Sequence, residues 1–171
     1  MTASSDLGTP RRTPLDAPDL LRAVFRRHAA GVAVITAQGE SPVGFTATSL
    51  TSVSAEPPLI SFGISMIASC WPVISTAEYV GVHILGEDQR ELAATFARSG
   101  ADRFASPTRW SAGPEGVPVL ADVPAWLVCR IAGRVPAGDH HIVLAEPLAG
   151  DHTGGGRPLL YHEGGFRTLR D

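Results

Sequence analysis

Gly44-Phe45-Thr46-Ala47-Thr48-Ser49-Leu50-Thr51-Ser52-Val53-Ser54 runs into Ala55-Glu56-Pro57-Pro58-Leu59, and its reading decides the fold. Thr, Val, Phe and Leu favour extended backbone, which predicts one β-strand over 44–54. Alternation puts Thr46, Thr48, Ser52 and Ser54 on one face, and Ala47, Ser49, Thr51 and Val53 on the other. A plain core strand is apolar on at least one face, whereas this one carries small side chains and hydroxyls on both. Small side chains let a flat ligand approach the backbone, and hydroxyls both donate and accept, which suits a heteroaromatic edge or a phosphate. On composition alone the stretch reads more readily as a solvent-facing strand of a sandwich or barrel. Pro57-Pro58 ends the ladder and sets the next strand off at an angle.

Upstream, Val32-Ala33-Val34-Ile35-Thr36-Ala37 is nearly continuous apolar β sequence, hence a strand buried on both sides. Gln38 to Pro42 is a turn, so the two strands form an antiparallel hairpin. Before them, Asp19 to His28 reads as a helix capped by Asp16 or Asp19, with Leu21, Val24, Phe25 and His28 on one face. Downstream, Leu59 to Ile64 is a strand, and Ser69-Cys70-Trp71-Pro72-Val73-Ile74 opens a short helix whose N-terminal N–H groups can meet an anion, though taken by itself the stretch reads rather as a capped connector with Trp71 in the core. Tyr79 to Leu85 is a strand, Glu87 to Arg98 a helix, and Ser106 to Pro118 a Gly/Pro-rich loop around Trp110. Ala125–Val135 and Asp139–Leu148 form a hairpin through Pro136-Ala137-Gly138, Asp151 to Gly156 is a glycine loop, and Pro158–His162 pairs with Phe166–Leu169. About seven or eight strands and two or three helices, mostly in consecutive antiparallel pairs, favour a closed barrel with helical excursions.

A chain of 171 residues with 44% hydrophobic and 18% charged residues suits one globular domain. The expected division is a frayed tail over 1–18 and a single domain over 19–171. The net charge of -3 offers no electrostatic case for nucleic acid. No apolar run reaches membrane-spanning length, and Met1 to Pro18 has no hydrophobic segment, so the expectation is a cytoplasmic protein with no signal peptide. All 14 basic residues are arginine, which excludes a Schiff-base or Walker-type lysine. Cys70 and Cys129 lack CxxC partners and read as buried thiols. There is no GxSxG, HExxH or GxGxxG, so hydrolase, zinc-protease and Rossmann readings fall away. His140 and His141, adjacent on a strand, point to opposite faces and cannot share a metal. His140 reads either as a turn cap beside Asp139 or as a ligand-facing residue on a barrel rim. Tyr161 and His162 read as packing residues or as a cover for a planar ring.

Taken in order, several segments resemble one family. They are Phe25…Gly31-Val32-Ala33-Val34-Ile35-Thr36, the stretch 44–54, Pro57-Pro58-Leu59, Ser69-Cys70-Trp71-Pro72 and Val82-His83-Ile84-Leu85. Phe96-Ala97, Asp102-Arg103-Phe104-Ala105, Gly138-Asp139-His140 and Pro158-Leu159-Leu160-Tyr161-His162 complete the set. The chain resembles the flavin reductase-like family and, within it, the small NAD(P)H:flavin reductases that serve two-component monooxygenases. The resemblance implies a mainly β (α+β) fold, an antiparallel split barrel with two or three peripheral helices. It implies FMN or FAD as flavin, NADH or NADPH as hydride source, a homodimer, and a monooxygenase that receives the reduced flavin.

By the same resemblance, Thr46, Ala47, Thr48, Ser49, Leu50, Ser52 and Val53 line the flavin ring and ribityl chain. Ser69, Cys70 and Trp71 hold the phosphate, and Arg103 and Phe104 flank the phosphate or adenine side. His140, Tyr161 and His162 lie near the nicotinamide, with His140 the catalytic candidate. The chain departs from the family at Met66, Ile67 and Cys70, where relatives carry basic or hydroxyl residues. Phosphate affinity is then weak, or Arg103 and helix N–H groups carry it. Two other functions are compatible with the same resemblance: tightly bound FMN serving another acceptor, and a flavin- or heme-binding module without catalysis.

Overall fold

The computed structural model describes residues 16–170, so the expected N-terminal tail lies almost wholly outside the described residues. Helix α1 (Ala17–Phe25) is capped by Asp16, whose carboxylate accepts from the Asp19 N–H at 2.9 Å. Strands β1 (Ala30–Gly31), β2 (Ala33–Gln38), β3 (Pro42–Ala47), β4 (Thr51–Ala55) and β5 (Pro58–Ser65) follow, then the short α2 (Trp71–Ile74). Next come β6 (Tyr79–Ile84), α3 (Arg90–Ala97), β7 (Trp110–Ala112) and β8 (Pro118–Leu120). The chain finishes with β9 (Ala125–Ala137), β10 (His140–Asp151), β11 (Leu159–His162) and β12 (Gly165–Thr168). All pairings are antiparallel. The fold is the expected split barrel with helices at its periphery.

The main sheet runs β3-β2-β6-β9-β10-β5-β4. Its two edges are therefore consecutive in sequence, joined only by Thr48-Ser49-Leu50. This corrects two expectations. The stretch 44–54 is two strands, and the barrel is split along a seam between them, not closed by a hydrogen-bonded ladder. The reason is local. The Ser49 hydroxyl accepts from the Gly63 N–H at 2.8 Å, so a side chain takes a β5 donor that a strand partner would otherwise use.

β2 is buried on both sides, as its composition requires. Ile35 and Ala37 face one core with Phe62, Ile64, Val80, Val82, Cys129 and Val143. Val32 and Val34 face a second core with Leu85, Ala93, Phe96, Leu120 and Leu159. The second core seats α3. Gly44 lies where a Cβ would stand 2.8 Å from the Phe96 ring, so only glycine lets α3 pack this close to β3. The Thr46 hydroxyl donates to the Ala93 carbonyl at 2.6 Å and ties the same two elements together.

Three further boundaries differ from expectation. The Gly/Pro-rich loop contains the β7–β8 hairpin, held by long-range bonds that no local pattern reports. The Thr36 hydroxyl donates to the Pro118 carbonyl at 2.6 Å, and the Leu120 N–H donates to His83 Nε2 at 3.1 Å. The β9–β10 turn sits at Gly138-Asp139, where Gly138 takes φ +64, a region that favours glycine. α3 begins at Arg90 because Gly86 to Gln89 closes a turn of its own, with the Gly86 N–H donating to Gln89 Oε1 at 2.9 Å. Among the described residues, no helix is long and apolar enough to cross a membrane.

Candidate active site

Two clefts open on either side of Thr48 and Ser49, and both residues line both clefts. The inner cleft, about 550 Å³, lies between the end of β3, β5, the loop leading into α2, and the end of α3. Its apolar wall is Phe45, Ile64, Ala68, Phe96 and Ala97, and its polar end is Ser65, Ser69, Ser99 and Arg103. The outer cleft, about 780 Å³, lies between α1, residues 48–51 and the β11–β12 turn.

Arg103 is the cation of the inner cleft. Its Nε and Nη2 donate to the carbonyls of Phe96 (3.2 Å) and Arg98 (2.8 Å) at the end of α3. These bonds fix the guanidinium plane and leave Nη1 directed at the Ser69 hydroxyl, 3.4 Å away. A charged donor beside a hydroxyl is the chemistry that a phosphate group needs. The α2 N-terminus contributes less than its sequence implied. The Trp71 N–H is taken by the Ala68 carbonyl at 2.9 Å, and Pro72 has no N–H. Cys70 forms the buried floor, where burial pushes its thiol above the ordinary value.

His140 enters the inner cleft from the start of β10. Its Nδ1 stands 2.7 Å from Asp139 Oδ1, and this bond holds the Asp139 carboxyl below the usual range. With Nδ1–H committed to the carboxylate, Nε2 is the ring nitrogen free for a ligand. His141, on the opposite face as alternation requires, stacks on Trp71 with ring centroids 4.3 Å apart.

The remaining predicted residues divide by element. Thr46, Ala47, Thr48, Ser49, Ser69, Cys70, Arg103 and His140 meet in the inner cleft. Leu50, Tyr161 and His162 line the outer cleft with Thr48 and Ser49. His140 therefore does not share a cleft with Tyr161 and His162, because β11 belongs to the small sheet β1-β11-β12 and not to the barrel. Trp71 packs against the first core and Phe104 against the second, the latter edge-on to Phe96 at 5.3 Å. Ser52 and Val53 lie on the exposed edge strand β4, outside both clefts. The Thr46 hydroxyl is spent on Ala93, so this residue offers a cleft ligand its backbone. Sequence reasoning missed Gly63, Phe96 and Ala97 on the inner side, and Arg22, Phe25 and Arg26 on the outer side. Gly63 carried a usable signal, being a glycine inside a strand.

The flavin reductase like domain profile matches residues 25–170. The chain belongs to the flavin reductase-like family. It is 44% identical over 150 residues to an NADH:FMN oxidoreductase of Rhodococcus qingshengii, a match covering 85% of this chain and 78% of the relative. Among solved structures, a flavin reductase domain protein from an Arthrobacter species superposes with a TM-score of 0.85 at 41% identity, covering 90% of this chain and 96% of that one. The flavin reductase component of a bacterial two-component tryptophan halogenase superposes at 0.82 with 34% identity, covering 90% and 99%. The inner cleft fits the group these names imply. It joins a flat apolar wall and small-residue backbone to an arginine–serine pair at one end, and its volume is that of a small-molecule site.

Proposed function

We propose that this protein is an NADH-dependent flavin reductase that passes hydride from NAD(P)H to FMN or FAD and supplies the reduced flavin to a partner monooxygenase. The observation that carries the reading is the seam at Thr48-Ser49-Leu50, where a cleft built for a flavin nucleotide meets a second cleft large enough for another ring. Family membership and the names of the relatives support it. Residues 19–171 act as one domain in this reading. The protein is a homodimer in the cytoplasm, where its reductant NADH is held; the uncovered apolar face of α1 supports the dimer.

When bound, the flavin supplies the hydride acceptor. The protein's own residues bind and orient. Arg103 and Ser69 hold the phosphate, and the backbone of 46–49 lies along the ring system. Tyr161 and His162 cover the nicotinamide in the outer cleft. His140, oriented by Asp139, presents Nε2 at the inner cleft and positions the reacting rings. Hydride transfer needs contact distance and exclusion of water more than a general base.

The test is aerobic oxidation of NADH by the purified protein, followed by absorbance, with and without added FMN or FAD. Oxidation that saturates with added flavin establishes the reductase and ranks the two flavins. No oxidation with either flavin, using NADH or NADPH, sinks the assignment and leaves a binding module.

A further inference from the structure

Arg103 stands on the connection from α3 to β7, residues 98–109, which runs as turns and bends. A guanidinium on a long flexible side chain keeps a fixed place at low entropic cost when its own backbone is fixed. The bonds from Arg103 to the Phe96 and Arg98 carbonyls tie the side chain to the end of α3, and leave the backbone at 103–104 to be held by other means. The next residue supplies part of that hold. Phe104 packs its ring against the second core, edge-on to Phe96 with centroids 5.3 Å apart and planes at 78°.

Trp110 supplies the rest from the opposite side. Its ring meets Phe104 edge-on, centroids 5.3 Å apart and planes at 79°, and its Nε1–H donates to the Phe104 carbonyl at 3.2 Å. One side chain thus holds both the ring and the backbone of the residue next to Arg103. Phe96, Phe104 and Trp110 form a continuous edge-to-face file from the wall of the inner cleft outward, in the geometry that aromatic pairs favour. Trp110 itself lines neither cleft and is 37% exposed. Its footing is nonetheless rigid. It pairs with Leu120 across the β7–β8 hairpin, and the buried Leu120 donates its N–H to His83 Nε2 at 3.1 Å. The Pro118 carbonyl in the same strand takes the Thr36 hydroxyl at 2.6 Å. Thr36 and His83 are fully buried in β2 and β6, so the hairpin anchors Trp110 to the barrel interior.

Resting on the reading that Arg103 and Ser69 hold the flavin phosphate, we propose that Trp110 is a positioning residue for that site: it holds the ring and carbonyl of Phe104 so that Arg103 Nη1 stays aimed at the Ser69 hydroxyl. The effect is confined to the charged end of the cleft. Phe45 and Ile64, in the apolar wall, stand on β3 and β5 and are packed in or against the first core, away from the hairpin. Loss of the Trp110 contacts therefore loosens the phosphate end and leaves the ring wall in place. The hairpin that interrupts the Gly/Pro-rich loop acts as a strut between the barrel interior and the arginine of the cleft.

The test is fluorescence titration of FMN and riboflavin into the full chain and its variants, each checked by circular dichroism. Trp110→Ala is expected to raise the FMN dissociation constant about fivefold to tenfold and to leave riboflavin within about twofold. Trp110→Phe keeps a ring against Phe104 and lacks the N–H; it is expected to raise the FMN constant about threefold, again without a matching loss for riboflavin. It decides alone if Trp110→Ala does not fold. In an Arg103→Ala background either substitution is expected to change FMN affinity less than about 1.5-fold, because the group being positioned is gone. A merely structural role would move FMN and riboflavin together and would persist without Arg103. Unchanged FMN affinity in the Trp110 variants, equal losses for the two ligands, or the full loss repeated in the Arg103→Ala background overturns the positioning role while Arg103 keeps the phosphate. Arg103→Ala that leaves FMN affinity unchanged overturns the phosphate reading, and this inference with it.

Discussion

The inner and outer clefts share Thr48 and Ser49 but are built by opposite means. The inner cleft is the exposed lip of two buried cores: Phe96 and Ile64 reach into it while being 0% and 2% exposed, and Arg103 is clamped to the end of α3. The outer cleft is assembled from surface elements. Tyr161 is 38% exposed, and α1 has no buried residue. A wall that continues into a core opens only when the core opens, whereas a wall held by a few exposed bonds can adjust at small cost. Under the proposed function, this difference suits the inner cleft to a ligand that needs a fixed geometry and the outer cleft to one that comes and goes.

The largest effect should come from removing the shared wall of core and inner cleft. Phe96→Ala is expected to cost about 3–5 kcal/mol of stability, measured by urea unfolding, because it leaves a cavity under α3. A loss below about 1 kcal/mol would break the comparison, since the inner cleft would then be no better founded than the outer.

Acid should come next. His83 is fully buried, with Nδ1–H donating to the Val34 carbonyl at 3.1 Å and Nε2 accepting from Leu120. Burial lowers its pKa from 6.5 to about 4. Between those values the unfolded chain binds a proton that the fold does not, so stability rises with pH and is lost as pH falls from about 6.5 to 4. The loss is on the order of 3 kcal/mol. Unfolding titrations at neutral and acid pH should show it, and His83→Gln should flatten the slope.

Arg103→Ala is expected to raise the FMN dissociation constant about tenfold to a hundredfold, as for loss of a charged hydrogen bond, and to leave riboflavin within about twofold. Fluorescence titration of both ligands checks it. Equal losses for the two would move the phosphate elsewhere.

The smallest effects should separate the clefts. His140→Ala is expected to slow flavin reduction about tenfold, near 1.4 kcal/mol, with flavin affinity nearly intact. Tyr161→Ala is expected to raise the KM for NADH a few-fold, about 1 kcal/mol or less, without changing flavin affinity. Stopped-flow reduction and steady-state kinetics report the two quantities. Loss of flavin binding in His140→Ala would make His140 a cofactor ligand.

Much of this was legible before any coordinates. Apolar continuity over 32–37 marked a strand buried on both faces, and Ile35 and Val34 do face different cores. Alternation separated His140 from His141. The absence of lysine excluded a Walker-type lysine, and the strongly basic side chain that lines the inner cleft is Arg103. These readings depend on period, turn chemistry and residue type, which belong to the chain itself. Long-range partners decided the rest. A hydroxyl-rich run could be one strand or two until Ser49 met Gly63, and the Thr46 hydroxyl looked free for a ligand, whereas it donates to the Ala93 carbonyl. Trp71 could line a ligand or pack inward, and it lies against the first core with His141 stacked on it, while Phe104 lies against the second. The β7–β8 hairpin exists because Thr36 and His83, each far away in sequence, hold it. Side-chain type sets which bonds a residue can make, but only the tertiary structure decides which partner comes within reach first.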